Sequence, residues 1–424
     1  MGTTNMTFVA GNRTAAAQPL NGIDASSSPV GFSFLLVYDY PLERKQLLES
    51  LQNILSHHPH FAGRVRDIES GLPWLSARNE GALFSVADYE EPMPAFSPQA
   101  PLKQQAATYL HEIDTSSFDR HTPLLQIRLS RFRDGCVLGV TMSHLLGDGI
   151  ALCCFLLNWS IAARGGHPSA MTSDRAALRR LADEAPCEIC PTPSADLPAQ
   201  LISPQGDIRS RVFRLPAQTL VRMAAAISEQ RISRHDMLAA QLWRAIVEVD
   251  SDGRDRHSLI AIYELRRLLG LEPGYLGNAY QLVEVTVDRA GILQSPPLHT
   301  ALLLRERRAQ ITPASVASEL AYWNRKMRER VVHDLVSGPV AALYSGGLML
   351  NDMSRFPFYS IDFGNGGPRW IDLPEPFPGI ARALVLCPAP SADLGLDVHL
   401  SLPAAEMDLF ESRHSGSNAE LRLI

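Results

Sequence analysis

Several signals that assign function quickly are missing from this chain. It has no Gly-x-Gly-x-x-Gly and no Walker loop, which removes the two commonest nucleotide-binding readings. The longest apolar run, Ile150 to Ala163, is too short to span a bilayer and is interrupted by Asn158. No basic segment leading into an apolar stretch opens the sequence, so no secretory signal is expected. Position six holds Met6, where a myristoylation signal needs Ser or Thr. Excess positive charge is also absent. The 39 basic and 45 acidic residues leave a net charge of −6, which argues against nucleic acid or a membrane as partner. Only 6 cysteines occur, and their placement suggests a reducing compartment. Cys136, Cys153, Cys154 and Cys387 lie in apolar or strand-like stretches, where thiols act as small hydrophobes. Cys187-Glu188-Ile189-Cys190 has the CxxC spacing but no second pair, so neither zinc nor redox use is expected. A cytoplasmic protein without a metal is the expectation.

What is present is a chain of 424 residues with 46% hydrophobic content, enough for a large core and two domains. Residues 1 to about 30 lack periodicity and read as a loose end. Phe32 to Tyr38 has the pattern of a strand, and Glu43 to His57 that of an amphipathic helix with Leu47, Leu48, Leu51, Ile54 and Leu55 on one face. Pro59 stops that helix, and Phe61 to Val65 reads as another strand. A further helix is expected over Pro101 to His111, with the proline at its first position. Leu124 to Phe132 and Gly135 to Met142 form a hairpin around Arg133-Asp134-Gly135. The proline-rich stretch from Pro186 to Gln205 reads as a crossover linker. This partition gives a first lobe at 1–185, a linker at 186–210 and a second lobe at 211–424. Val212 to Leu215 resembles a strand and Ala217 to Ser228 a helix; Ser233 has the character of an N-cap for a helix from Arg234 to Val249. Strands and helices alternate without a strict βα period, so mixed sheets are expected rather than a Rossmann core.

The most informative stretch is His144-Leu145-Leu146-Gly147-Asp148-Gly149. The apolar run Cys136 to Met142 precedes it and the run Ile150 to Ala163 follows, so a strand delivers a histidine to a glycine-loosened turn before a buried helix. An imidazole has a reference pKa near ~6.5 and is mostly an unprotonated base at neutral pH. By itself the spacing of His144 and Asp148 is common and marks a cap or a surface contact more often than a base.

A second stretch, Asp362-Phe363-Gly364-Asn365-Gly366, lies over two hundred residues downstream. Together the two resemble the signatures of the BAHD acyltransferases, His-x-x-x-Asp-Gly and Asp-Phe-Gly-Trp-Gly. Further segments agree in order: Glu49 to Arg64 with its Ala-Gly-Arg turn, Ser233 to Trp243 ending in Ala-x-x-Trp, and Pro273 to Asn278 resembling a Tyr-Phe-Gly-Asn loop. The resemblance covers roughly residues 30 to 410.

The resemblance implies an α+β fold of two chloramphenicol-acetyltransferase-like lobes, with mixed sheets and a channel between them. It implies an acyl-CoA co-substrate, a small-molecule acceptor with a hydroxyl or amine, no permanently bound cofactor and a monomer. His144 would be the general base. Asp148 would pair structurally with an arginine of the second lobe, carried here by Arg266 in Glu264-Leu265-Arg266, with Arg267 as the alternative. Asn351 becomes a candidate oxyanion or acceptor contact, because Asn351-Asp352-Met353 stands where the family tends to have Thr-Ser-Trp. Arg231, Ser233 and Arg234 become candidate CoA contacts, and Asp362, Gly364 and Gly366 a tight loop near the CoA channel. Asn365 replaces the usual tryptophan. Two alternatives are a condensation-domain-like enzyme, which usually carries a second histidine where this chain has Ser143, and a catalytically silent binding protein on the same scaffold.

Overall fold

A computed structural model describes residues 5–26, 31–66, 73–96, 107–111, 113, 121–186, 206–227, 232–331, 335–374, 380–391, 395–416 and 420–422. In chain order its strands are β1 (Asn5–Val9), β2 (Gln18–Pro19), β3 (Gly31–Tyr38), β4 (Val65–Arg66), β5 (Trp74–Leu75), β6 (Ala82–Asp88), β7 (Leu125–Arg131), β8 (Cys136–Ser143), β9 (Ile208–Leu215), β10 (Arg256–Glu264), β11 (Tyr280–Asp288), β12 (Leu348–Asp352), β13 (Trp370–Asp372), β14 (Ala383–Pro388) and β15 (Leu396–Pro403). Five helices matter for the site: α1 (Gly22–Ser26), α2 (Arg44–His57), α3 (Gly149–Ala163), α4 (Arg234–Glu248) and α5 (Pro313–Arg328).

The strands form two six-stranded sheets, ordered β1-β6-β7-β8-β3-β13 and β11-β10-β12-β14-β15-β9, and a small sheet β2-β5-β4. Both large sheets are mixed: β6 runs parallel to β7 in the first, and β10, β12 and β14 are mutually parallel in the second. This is the mixed α/β architecture expected from the pattern. The first sheet draws five strands from the N-terminal half and its sixth, β13, from residues 370–372. The proposed linker and Cys187 to Cys190 fall largely or wholly outside the described residues.

Strand alternation decides which faces meet. Phe34, Leu36 and Tyr38 of β3 point into one core with α2 and α3, where Phe61 stacks on Phe155 at 4.5 Å and the Trp159 indole donates to the Ser50 hydroxyl at 3.0 Å. α3 is apolar on all sides and correspondingly buried. In the second sheet, Leu259 and Ala261 of β10 and Leu348 and Leu350 of β12 pack against α4, while Ile260 and Met349 face the first core. Among the described residues no helix is long and apolar enough to cross a membrane.

Two expectations change, and a third lies mostly outside the described residues. Residues 5–26 are ordered, with β1 paired along β6 and α1 docked on α5 through the Gly22 amide, which donates to Asn324 Oδ1 at 2.6 Å. Their order comes from distant partners, which local periodicity does not register. Phe61 and Ala62 belong to a 3-10 turn, Pro59–Ala62, with Pro59 pre-setting a helical φ, and only Val65–Arg66 pairs as a strand. The expected helix from Pro101 lies mostly outside the described residues; Ala107–Tyr109 is a 3-10 turn.

The junction of the two sheets carries an unusual carboxyl. Asp372 of β13 is 4% exposed, accepts from the Leu373 amide at 2.9 Å, and lies 3.9 Å from Nδ1 of His399 on β15. Burial pushes the Asp372 carboxyl up to about 7. A folded-state pKa above the unfolded value means the stability is fully present at low pH and is lost as pH rises toward 7. We therefore expect Asp372→Asn to be more stable than the parent at pH 8 by a few kcal/mol, about 4 at most, with the advantage gone near pH 4. Urea denaturation at the two pH values checks this; equal gains at both would refute it.

Candidate active site

His144 directly follows β8 and begins a turn held by Leu146 N–H donating to the Ser143 carbonyl at 3.0 Å. Its ring is half-buried, walled by Phe32 of β3 at 4.6 Å between centroids and by Tyr280 of β11 at 5.8 Å. Phe32 comes from the first sheet and Tyr280 from the second, so the imidazole sits where the two meet. Nδ1 lies 3.3 Å from Asn278 Oδ1. Desolvation by burial lowers the imidazole pKa, opposed by that hydrogen bond and by the charges of Asp148 and Asp24. The ring is thus neutral at pH 7, with one nitrogen turned away from Asn278.

Asp148 faces away from the ring. Its Oδ1 caps α3, accepting from the Ala151 amide at 2.9 Å. Arg266 grips it in two places, Nη2 to Oδ1 at 2.8 Å and Nη1 to Oδ2 at 3.0 Å, and the Ala279 amide donates to Oδ2 at 3.0 Å. Arg266 also donates to the carbonyls of Tyr275 and Gly277, both at 2.9 Å. Arg267 is exposed. Gly147 permits the crossing: a Cβ there would stand 2.3 Å from the Leu276 carbonyl oxygen, so any side chain would push the 274–278 loop off the turn.

Behind the turn lies a second buried pair that the sequence reading missed. Arg175 Nε donates to Asp24 Oδ2 at 2.9 Å, and Arg175, Asp24 and Asn278 are all 0% exposed. Asp24 belonged to a segment read as loose, and nothing in the sequence singled out Arg175. The one local signal was the spacing Asn21-x-x-Asp24, which forms reciprocal bonds at 3.0 and 3.1 Å at the start of α1.

The other candidates lie in three places. Asn351 falls between Met349 and Met353 on the face of β12 that meets the first core, and Met353 Cε is 3.6 Å from a Cβ built on Gly149, the first residue of α3. That brings the Asn351 segment to the His144 side of α3. The adjacent Asp352 pairs with His235 Nδ1 at 2.7 Å, a contact the sequence did not announce. Ser233 opens α4 in a reciprocal cap with Asp236, which is itself held by Arg308, so its hydroxyl is engaged locally. Arg234 is exposed, and Arg231 lies outside the described residues.

Asp362, Gly364 and Gly366 lie at the opposite end of α3, beside Ala163 and Arg164. A 15-residue helix separates them from the His144 turn by about 22 Å. Asp362 Oδ1 accepts from the Gly364 and Gly366 amides at 2.6 and 2.8 Å, with φ of +134° and +109° at those glycines. The carboxylate therefore shapes its own loop, and exposed Asn365 leaves that loop closed without an indole. The acidic trio Asp250, Asp252 and Glu406 lies elsewhere and is interleaved with Arg254 and Arg382, which already supply positive charge.

The model of the Transferase family matches residues 3–416. Agmatine coumaroyltransferase-1 of Hordeum vulgare is 24% identical over 94% of this chain and 93% of its own length. Shikimate O-hydroxycinnamoyltransferase of Nicotiana tabacum is 26% identical over 87% and 86%. Among solved structures, F. graminearum TRI101 complexed with coenzyme A and deoxynivalenol superposes with a TM-score of 0.74 at 16% identity, covering 94% of this chain and 97% of that one.

Removing either partner of the Asp148–Arg266 pair leaves a buried charge uncompensated. Asp148→Ala and Arg266→Ala are each expected to cost about 3–5 kcal/mol in urea denaturation. The double variant Asp148→Leu with Arg266→Met should recover much of that loss. Single variants as stable as the parent would show that the pair does not hold the turn.

Proposed function

The chain belongs to the Transferase family, the BAHD acyltransferases, and we propose that it moves an acyl group from acyl-CoA to a hydroxyl or amine of a small molecule, with His144 as general base. The observation that carries this reading is the neutral His144 ring, half-buried between Phe32 and Tyr280, with Nδ1 engaged by Asn278 and Nε2 left to accept a proton.

The step balances without an acyl-enzyme. Nε2 takes the proton of the acceptor as its oxygen or nitrogen attacks the thioester carbonyl. The tetrahedral intermediate expels the CoA sulfur with the C–S bonding pair, and Nε2 returns the proton to that thiolate. Positioned proton transfer contributes about 10²–10⁴-fold. Holding both reactants in line supplies about 7–11 kcal/mol more. Asn351 is the nearest candidate to steady the oxyanion, because its face of β12 meets the start of α3. Arg234 offers an exposed cation for CoA at the start of α4. Agmatine and shikimate in the names of two relatives span an amine and an alcohol, so both acceptor classes belong in a first panel.

Purified protein mixed with acetyl-, benzoyl- and coumaroyl-CoA and such a panel should release free thiol only when an acceptor is present. His144→Ala should lose about 10²–10⁴-fold in turnover with the fold intact. Because burial lowers the imidazole pKa, the acid limb of kcat/KM should fall below pH ~6.5. Full activity in His144→Ala would sink the assignment.

A further inference from the structure

We propose that Asp24 and Arg175 are positioning residues for His144, acting through Asn278 to set which ring nitrogen carries the proton. The proposal rests on His144 being the base and adds what prepares it.

The argument turns on the Asn278 amide. Its Nδ2 donates to two oxygens that can only accept, Asp24 Oδ1 at 2.8 Å and the His144 main-chain carbonyl at 2.7 Å. Flipping the amide would press its oxygen against both. Oδ1 must therefore face the ring, and it faces Nδ1 at 3.3 Å. An amide oxygen accepts only, so Nδ1 carries the hydrogen and Nε2 keeps the lone pair. This is the less favoured tautomer of a free imidazole, and here it is imposed from behind.

Asp24 can do this only while held still. Arg175 holds it, and the same guanidinium donates through Nη2 to the carbonyls of Leu146 at 2.8 Å and Leu145 at 3.3 Å. One buried cation thus reaches His144 by two routes, through the turn that carries the ring and through the amide that orients it. The Asp148–Arg266 pair holds the backbone on either side of Asn278, through the Gly277 carbonyl and the Ala279 amide, whereas the Asn278 side chain itself is held by Asp24 and the His144 carbonyl. The two buried pairs flanking the turn therefore divide the work. Among the described residues, the charged or titratable groups that face the ring or the turn carrying it are Asp24, Asp148, Arg175, Arg266, Tyr275 and Tyr280, and the negative charges of Asp24 and Asp148 both favour the protonated imidazole.

The test reads the tautomer directly. In ¹⁵N-histidine-labelled protein, with the His144 signals identified by their loss in His144→Ala, the parent should show a protonated Nδ1 and a bare Nε2. Asp24→Leu with Arg175→Met replaces the pair by apolar groups of similar length, a change that buried pairs often tolerate. In that variant the tautomers should mix and the acid limb of kcat/KM should move to lower pH. Its kcat should fall on the order of 10²-fold, with KM for acyl-CoA changed by less than about twofold. A bare Nδ1 in the parent overturns the proposal whether or not any variant folds. So does a folded double variant that keeps the tautomer and the limb. An active His144→Ala would remove the base reading instead, while the spectrum would still decide what Asp24 and Arg175 do.

Discussion

One ion pair makes the rest of this site possible. Asp148 starts α3 in the first half of the chain, and Arg266 follows β10 in the second; their two parallel hydrogen bonds join the sheets at the point where His144 emerges. A carboxylate that both caps a helix and binds a guanidinium has its lone pairs fully used, so it is free of the ring and rigid. A buried pair of this kind gains little net stability over apolar packing, but losing one member is expensive. Its value lies in register: it locks the 274–278 loop to the His144 turn, which Gly147 lets approach within contact.

That register matters because the histidine is built from pieces far apart in sequence. Phe32, Tyr280, Asn278, Asp24 and Arg175 surround one imidazole, and they come from β3, β11, the loop before it, α1 and the stretch after α3. Rigid placement suits a base that must meet two separate substrates, since a small misplacement forfeits much of the gain from alignment. The Asp362 loop serves at a distance. It closes the far end of α3 and so fixes the helix whose other end carries the reacting group.

Much of this was legible in order along the chain. Elements with strong local periods emerged where expected: β3, α2, the β7–β8 hairpin, α3 and the Ser233-capped α4. The pairing of Asp148 with Arg266 followed from a resemblance rather than from spacing, because nothing local links positions 118 residues apart. Asp362 was legible as a loop anchor but not as a residue some 22 Å from His144, since its distance depends on where α3 points. The N-terminal segment was misjudged for the complementary reason: β1 and α1 have too little periodicity to be visible without β6 and α5 beside them.

The sequence by itself determined the local elements, the mixed sheets, the two signatures and the family. It could do so because helix and strand periods, caps and turn residues act over a few neighbouring positions. Tertiary structure alone decided that β13 joins the first sheet, that Asp24 and Arg175 lie behind the histidine, and that the Asn278 amide has one permitted orientation. Those outcomes depend on hydrogen bonds between groups brought together from opposite ends of the chain, and a buried donor or acceptor takes whichever partner the folded core places within reach.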